Sequence, residues 1–350
     1  MRRSSLKLIG HRRSNTVRIL TGIFIFCCCI SGLYAKSYQS VAIAVYDMDD
    51  GRFLFKKNSQ VRRAPASTIK VLTALTAQRL AADQMDDWVT ISDFAASAQP
   101  TKAYMKPGEK FKLRDLISLT LVASCNDAAR AVAEGVSGSE ANFANDMQNT
   151  ATMLGAQATR VTNASGLPSP SGMLTTVEDS VLMIKAASQS ELISKMLSEK
   201  SVTMVSSEGR SITRTTHNRL MRDNYRYPVL GKTGFTNDAR HCFLSFCKLG
   251  DRNVAVSILG APTSSVLWAE LRLVYDAYMK TRDVYLPIYM AKQGISVAQL
   301  HEKLRMAGFP VSGENTYGAA TRKAVAAYQK SKRLASDGIC GARTWESLSD

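Results

Sequence analysis

The sequence predicts an α+β protein, with one antiparallel sheet flanked by helices and a small three-helix module at the C-terminus. Strand-like segments lie at both ends of residues 36–282, and helix-like segments lie between them. This order favours a single sheet covered by helices over alternating βαβ units. Residues 295–350 form a separate short unit after a segment that contains Pro287. Such a short unit is marginal alone, so we expect its helices to share one apolar face.

Alternating apolar residues and turn residues predict the first strands and the first helix. Val41–Asp47 and Arg52–Lys56 predict a β-hairpin, because Asp49-Asp50-Gly51 supplies the turn between them. Pro65 is typical of a helix entry, and the apolar-periodic run Ala66–Ala82 predicts the helix that follows.

The rest of this domain is predicted to contain the covering helices and the remaining strands. Two short strands are expected at Trp88–Ile91 and Lys110–Leu113. The predicted helices are Arg114–Val122, Asp127–Gly135, Ala141–Gly155, Thr176–Ala187 and Ser264–Thr281. The predicted consecutive antiparallel strands, separated by turn residues, are Leu230–Phe235, Cys242–Lys248 and Asn253–Leu259.

The N-terminal segment has the pattern of an export signal. Met1–Arg18 is basic, Ile19–Ile30 is largely apolar but short for a membrane span, and Ala35 offers a small residue for cleavage. We therefore predict a signal peptide over residues 1–35, with an uncleaved membrane anchor as the alternative. Either way the protein is exported, and we expect it to be periplasmic or extracellular and wall-associated.

Composition limits the classes of partner. The net charge of +16 over 350 residues suits a polyanionic or carboxylate-rich partner. No basic helix, aromatic platform or finger spacing in the sequence indicates nucleic acid. No spacing of His, Cys, Asp and Glu resembles a zinc site, so we expect neither a metal nor a cofactor.

The cysteines outside the leader are expected to be buried single thiols. They are Cys125, Cys242, Cys247 and Cys340. Cys242 and Cys247 lie five positions apart on one predicted strand, so their side chains point to opposite faces. We also expect Cys125 to face the packed interior.

Three short motifs carry the chemistry: Ser67-Thr-Ile-Lys70, Ser124-Cys-Asn126 and Lys232-Thr-Gly234. Serine is a poor nucleophile without an adjacent base. A Lys three residues further along a helix lies on the same face as the Ser, and it can take the proton only if burial or nearby positive charge keeps it neutral. Each motif is weak alone, as Ser4-Ser-Leu-Lys7 in the basic leader illustrates. Together they predict a serine enzyme that forms an acyl-enzyme.

These motifs and their flanks resemble the low-molecular-mass penicillin-binding proteins, which are serine D-Ala-D-Ala carboxypeptidases, over residues 38–282. The matching stretches are Arg63-Ala-Pro-Ala-Ser-Thr-Ile-Lys70, Leu121-Val-Ala-Ser-Cys-Asn-Asp-Ala-Ala129, Asn163-Ala-Ser-Gly-Leu167 and Gly231-Lys-Thr-Gly-Phe-Thr236. Residues 295–350 resemble a peptidoglycan-binding three-helix module. Its matching pieces are Tyr317-Gly318, Ala324-Val325, Tyr328-Gln329, Asp337-Gly-Ile-Cys-Gly341 and Thr344-Trp345. The first resemblance implies a β-lactamase/transpeptidase-like fold.

The resemblance also implies the catalytic roles. Ser67 is expected to be the nucleophile, and Lys70 the base that takes its proton. Ser124 is expected to relay a proton to the leaving D-Ala amine, although it could instead only cap the helix that begins near Asp127. Asn126 is expected to hold Lys70 and the substrate amide.

The third motif is expected to bind the substrate. Lys232 and Thr233 would fix its terminal carboxylate, and Gly234 would let substrate backbone approach the strand. The backbone N–H groups of Ser67 and Phe235 would form the oxyanion hole.

Three positions depart from the family pattern. Ser165 stands where the family often has His, and Gly172-Met173 where a second His is common. Arg240 stands where the family usually has Gly. These differences concern loop shape and substrate preference.

The sequence thus predicts an exported carboxypeptidase that removes the terminal D-Ala from D-Ala-D-Ala-terminated peptides of peptidoglycan and is acylated by β-lactam antibiotics. The predicted order is a signal peptide (1–35), a peptidase domain (36–282), a linker (283–294) and a peptidoglycan-binding domain (295–350). One alternative is a serine β-lactamase, but the Glu-x-x-Leu-Asn segment of class A enzymes is missing between the second and third motifs. Another is a catalytically weak wall-binding protein, which the intact motifs disfavour. Endopeptidase and transpeptidase activities share the acylation step and stay open.

Overall fold

The computed structural model describes residues 38–49, 51–249, 252–281, 295–312, 317–334, 336 and 338–349. The predicted signal peptide and the predicted linker 283–294 lie outside the described residues. The α+β class is confirmed. The strands of the described part are β1 Ala42–Asp47, β2 Arg52–Lys57, β3 Trp88–Thr90, β4 Lys110–Lys112, β5 Ser201–Val205, β6 Ser211–Thr215, β7 Leu230–Thr236, β8 Arg240–Leu249 and β9 Arg252–Ala261.

The helices of the described part agree with the sequence pattern at most positions. They are α1 Lys70–Leu80, α2 Asp93–Ala96, α3 Leu113–Val122, α4 Asn126–Ser137, α5 Glu140–Met153, α6 Val177–Gln189, α7 Glu191–Ser198, α8 Arg219–Arg222, α9 Ser264–Thr281, α10 Val297–Met306, α11 Ala319–Ser331 and α12 Ala342–Ser347. None of these helices is long and apolar enough to cross a membrane.

The central sheet is antiparallel and has the strand order β2-β1-β9-β8-β7. Strand β1 pairs with β9, with Ala44 opposite Ser257, so the first strand of the sheet lies beside its last strand. Strand β7, which carries the Lys-Thr-Gly motif, lies at the edge of the sheet. One side of β7 is therefore free of a strand partner in this sheet, which is the geometry that accepts an added peptide strand.

Helices cover both faces of this sheet, as the sequence predicts. Alternation along β8 directs Phe243 and Ser245 towards α9, where the ring of Phe243 lies 5.0 Å from that of Trp268 and the hydroxyl of Ser245 lies 3.0 Å from that of Tyr275. Leu244 points to the other face and joins the main hydrophobic core. On that face α6 packs against β1, β8 and β9, and α1 packs against α3, α4, α5 and α6.

The cysteine predictions are confirmed. Cys125, Cys242, Cys247 and Cys340 are all buried, and none of them forms a disulfide bond within the described residues. Cys242 belongs to the main core, whereas Cys247 does not, as expected for opposite faces of one strand.

The turn between β7 and β8 contains Arg240, one of the departures from the pattern of the family that the sequence resembles. Arg240 adopts a φ of +60°, in the left-handed region that favours glycine. The family's usual Gly is thus replaced here by a residue for which this backbone conformation is strained.

The C-terminal helices α10, α11 and α12 share one small core, as the sequence predicts. Leu300, Leu304 and Val325 are fully buried in it, and Tyr328 packs beside them. The Tyr328 hydroxyl lies 2.8 Å from that of Ser347, which links α11 to α12.

Candidate active site

The Ser67-x-x-Lys70 motif lies where a 3₁₀ turn, Ala66–Ile69, passes into helix α1. Lys70 Nζ lies 2.8 Å from Ser67 Oγ, the contact that the spacing predicts. Burial, and then the charge of Lys232, lower the pKa of Lys70 well below its ordinary value. A neutral amine at this position can accept the serine proton.

The partners of Lys70 orient its lone pair. Nζ donates to Asn126 Oδ1 at 2.6 Å and to the carbonyl oxygen of Ser165 at 2.6 Å. A neutral amine has two N–H groups and one lone pair, and both of these oxygens can only accept. The third direction, towards Ser67, is therefore left for the lone pair.

The Ser165 carbonyl is held by a tight turn. Asn163 Oδ1 accepts from the backbone N–H groups of Ser165 at 3.1 Å and Gly166 at 2.8 Å. The Thr73 hydroxyl on α1 donates to the Ala164 carbonyl at 2.7 Å. Gly166 has a φ of +82°, and a Cβ there would lie 2.1 Å from a backbone oxygen of the 3₁₀ turn. This turn is the part of the Asn163–Leu167 match that contacts the base, a role that sequence reasoning missed.

Asn126 is fixed on both sides of its amide. Its Nδ2 donates to the carbonyl oxygen of Gln99 at 2.9 Å, and its own N–H donates to that of Thr101 at 2.8 Å. Because Nδ2 is occupied in this way, Oδ1 faces Lys70. The structure thus brings Asn126 to Lys70 as expected.

Ser124 is positioned differently from the capping alternative. Helix α4 has Cys125 as its N-cap residue, without a side-chain capping hydrogen bond, so the N-cap interpretation of Ser124 is wrong. Ser124 instead has a φ of +61°, a strained conformation of the kind that clusters at functional sites. Within the described residues its hydroxyl forms no hydrogen bond, and the proton relay that the resemblance implies for Ser124 stays a prediction.

Asp127, which sequence reasoning missed, positions segment 101–105 beside Asn126. Its buried carboxylate accepts from the backbone N–H groups of Ala103 at 2.9 Å and Met105 at 3.4 Å. Arg214 on β6 donates to the Ala103 carbonyl at 2.7 Å. Segment 101–105 is thereby held next to Asn126. The signal that could have revealed this role is an acidic residue in the first turn of a helix, directly after the Ser-x-Asn motif.

The third motif adds a second buried lysine. Lys232 on β7 is 1% exposed, and its Nζ donates to the carbonyl oxygen of Thr233 at 3.0 Å. Burial lowers the pKa of Lys232 to about 7. The pKa of Lys70 is also depressed, in part by the charge of Lys232, so the site favours a single proton on the two amines over two.

Gly234 brings the edge strand against the nucleophile turn. A Cβ at this position would lie 2.9 Å from the carbonyl oxygen of Pro65 and 3.0 Å from the backbone nitrogen of Ser67. The chain's own 65–68 segment therefore requires glycine at this position, and the expectation that Gly234 also lets substrate backbone approach the strand stays a prediction. The close contact places the backbone of Phe235 near that of Ser67, as an oxyanion hole requires.

Phe235 also presents an aromatic surface beside the nucleophile. Its side chain is 55% exposed, and its ring lies 4.5 Å from that of His241 across the β7–β8 ladder. Thr233, two positions earlier on the strand, is half-buried.

The thiol between the two residues of the second motif does not compete with Ser67. Cys125 is 1% exposed, and burial, with a contribution from the Asp127 charge, raises its pKa to about 12. A thiol in this state is not a thiolate nucleophile at neutral pH. In the described part of the chain, no group of His, Cys, Asp and Glu side chains could hold a metal ion.

Comparison with known proteins agrees with this geometry. A family model described as D-alanyl-D-alanine carboxypeptidase matches residues 33–263, and a peptidoglycan binding domain model matches residues 293–348. A D-alanyl-D-alanine carboxypeptidase of Bacillus subtilis is 28% identical over 266 residues, covering 74% of this chain and 67% of that protein. One from Mycobacterium tuberculosis is 32% identical over 241 residues, covering 66% and 79%. A crystal structure of a D-alanyl-D-alanine carboxypeptidase from Mycobacterium tuberculosis superposes with a TM-score of 0.64 and 28% identity, covering 69% of this chain and 91% of the other.

Proposed function

Since the chain belongs to the D-alanyl-D-alanine carboxypeptidase family and is a serine-type D-Ala-D-Ala carboxypeptidase, we propose that it acts through an acyl-enzyme on Ser67. The observation that carries this proposal is the 2.8 Å contact between Ser67 Oγ and the amine of Lys70. That amine is buried, and its other two directions are occupied by acceptors. The pair therefore has the arrangement of a nucleophile and its general base.

In the acylation step, Ser67 Oγ attacks the carbonyl carbon of the penultimate D-Ala while Lys70 takes the hydroxyl proton. The carbonyl oxygen becomes an oxyanion between the backbone N–H groups of Ser67 and Phe235. Preorganised donors of this kind contribute about 10²–10³ in rate. Before this transfer, Asn126 keeps the lone pair of Lys70 aimed at the nucleophile.

Collapse of the oxyanion breaks the amide bond to the terminal D-Ala, whose nitrogen needs a proton. We assign the relay from Lys70 to that nitrogen to Ser124. Its hydroxyl forms no hydrogen bond among the described residues, so it is available to accept one proton and donate another. Water then attacks the ester carbonyl and Lys70 takes its proton. As the ester bond breaks, Lys70 returns that proton to Ser67 Oγ, and the peptide leaves one D-Ala shorter.

Lys232 and Thr233 are the proposed site for the substrate's terminal carboxylate. A carboxylate next to Lys232 favours its charged form and so raises its pKa above the value in the free protein. Substrate binding thereby assigns the shared proton to Lys232 and leaves Lys70 neutral. The same event that binds the carboxylate prepares the base.

The remaining parts of the proposal concern location and partners. The family and the peptidoglycan-binding match favour action outside the cytoplasm on the cell wall. We propose that residues 1–35 are the export signal, that residues 36–282 form the peptidase domain, that 283–294 link it to residues 295–350, and that β-lactam antibiotics acylate Ser67 as substrate mimics.

The test is product identification with a pentapeptide-containing muropeptide. The full-length protein should release free D-Ala, and Ser67→Ala should abolish both that release and covalent labelling by a fluorescent penicillin. Ser198→Ala, which changes an exposed serine at the end of α7, is the matched control and should keep both reactions. Labelling that survives in Ser67→Ala would place the nucleophile elsewhere, and cleaved crosslinks without free D-Ala would indicate an endopeptidase.

A further inference from the structure

Glu140, the first residue of α5, forms a contact that the proposed mechanism does not use. Its Oε1 accepts from the backbone N–H of Ala164 at 3.1 Å. Ala164 directly precedes Ser165, whose carbonyl oxygen accepts from Lys70 Nζ at 2.6 Å. The carboxylate of Glu140 therefore binds the chain one residue away from the backbone group that orients the base.

The turn that presents the Ser165 carbonyl is held at three consecutive peptide groups. Glu140 accepts from the N–H of the first group, and Thr73 on α1 donates to the carbonyl oxygen of the second at 2.7 Å. The third group contains the Ser165 carbonyl, and its N–H donates to Asn163 Oδ1 at 2.8 Å. Loss of the Glu140 contact would therefore release this turn at its N-terminal side, where α5 supports it.

A glutamate in the first turn of a helix ordinarily stabilises its own helix through the helix dipole. Glu191 is such a residue, because it begins α7 directly after a serine N-cap, as Glu140 begins α5. Glu191 is exposed, and its side chain forms no hydrogen bond within the described residues. Glu140 is instead half-buried and binds a separate segment of the chain. The helix dipole alone does not account for this contact.

The charge of Glu140 also acts on the base. Burial is the largest influence on the pKa of Lys70 and lowers it, and the charge of Lys232 lowers it further, whereas the charge of Glu140 raises it. Burial raises the pKa of Glu140, while the hydrogen bond from the Ala164 N–H acts in the opposite direction and favours the carboxylate. An ionised Glu140 thus stabilises the ammonium form that Lys70 takes when it accepts a proton.

We propose that Glu140 is a positioning residue for the proton transfer at Ser67. Its hydrogen bond fixes the turn 163–166, and the Ser165 carbonyl of this turn then holds Lys70 Nζ beside the nucleophile. This inference rests on the proposed function, because it requires that Lys70 is the general base. Lys70 takes a proton in both acylation and hydrolysis, so loss of the Glu140 contact slows both steps and leaves substrate binding unchanged.

The test separates the hydrogen bond of Glu140 from its charge in the full-length protein. Glu140→Asp keeps the charge but withdraws the oxygen by one methylene, whereas Glu140→Gln keeps an oxygen at full length and removes the charge. Release of D-Ala from a soluble D-Ala-D-Ala pentapeptide gives kcat and KM. We expect Glu140→Asp to lower kcat about fivefold to tenfold, the effect of about 1–1.4 kcal/mol for one lost hydrogen bond. Glu140→Gln should lower kcat only about twofold, and KM should stay unchanged in both variants.

Hydrogen exchange followed by mass spectrometry measures the turn directly, without turnover. Exchange in segment 163–166 should be faster in Glu140→Asp than in the wild type and unchanged in Glu140→Gln. Glu191→Asp and Glu191→Gln make the same two changes at the start of α7, and both controls should keep the wild-type kcat and exchange.

An unchanged kcat in Glu140→Asp would overturn the positioning role, and so would an equal loss of kcat in the two Glu140 variants. A higher KM with an unchanged kcat would also overturn it, because Glu140 would then act on substrate binding. The proposed function fails separately, if the wild type releases no D-Ala. In that case exchange in segment 163–166 still decides whether the Glu140 contact holds the turn.

Discussion

Replacing Lys232 by methionine removes a buried ammonium group while keeping a side chain of similar length. Burial lowers the pKa of Lys232 from 10.5 to about 7. A downward shift of this size means that, at low pH, the buried protonated lysine lowers the free energy of unfolding by about 5 kcal/mol, at about 1.4 kcal/mol per pH unit. The variant loses the hydrogen bond to the Thr233 carbonyl, worth about 1 kcal/mol. We therefore expect Lys232→Met to be more stable than the wild type by about 2–4 kcal/mol at pH 6, while losing carboxypeptidase activity.

The gain should depend on pH with a definite sign. Between pH 7 and 10.5 the unfolded chain keeps Lys232 protonated, whereas the folded wild type holds it neutral. The unfolded state then binds more protons, so this lysine's contribution to wild-type stability rises with pH. The advantage of Lys232→Met should be constant below about pH 6.5 and should shrink by about 1.4 kcal/mol per pH unit above about pH 7.5.

Urea denaturation followed by circular dichroism at pH 6, 7.5 and 9 measures this difference. Lys195→Met, at an exposed position on α7, is the matched control and should stay within about 0.5 kcal/mol of wild type at every pH. A less stable Lys232→Met at pH 6 would refute the reasoning, and so would an advantage that does not change with pH. Either result would mean that Lys232 is well solvated in the folded protein.

Three further outcomes follow from the site. In the free enzyme the alkaline limb of kcat/KM should lie near pH 7, where Lys232 loses its proton, and Lys232→Arg should move it above pH 10 in the same titration. Asp127→Asn should lower the unfolding free energy by about 1.5–3 kcal/mol and raise hydrogen exchange in segment 101–105, because a buried charge-assisted acceptor is lost; unchanged exchange there would contradict this. Gly234→Ala should slow penicillin acylation of Ser67 at least tenfold, because the new Cβ separates β7 from the nucleophile turn. An unchanged acylation rate would show that β7 and this turn can move apart without affecting the reaction.

Features that depend on local periodicity were predictable from the sequence. The helical spacing of Ser67 and Lys70 alone predicts their contact, and alternation on β8 predicts the opposite faces of Cys242 and Cys247. The main strands followed from apolar runs bounded by turn residues. Each of these depends on geometry that a few neighbouring residues determine.

Features made by backbone atoms or by polar hairpins were not predictable. The Ser165 carbonyl that contacts Lys70 is a backbone group, which any residue type supplies. Hairpin β5–β6 buries only Met204 and Ile212, so its alternation is too weak to stand out from a loop. The partner of Gly234 is a turn far away in the chain, and no local pattern names it.

The central claim is that the peptide is covalently bound to Ser67 Oγ as an ester between the acylation step and the hydrolysis step. Its most direct test is rapid quenching of the full-length protein with a D-Ala-D-Ala pentapeptide, followed by mass analysis of the digested protein. The account predicts that the peptide containing Ser67 gains the mass of the substrate less one D-Ala, in step with an equimolar burst of free D-Ala. An adduct on another residue would contradict the account, and so would D-Ala release by Ser67→Ala at the wild-type rate.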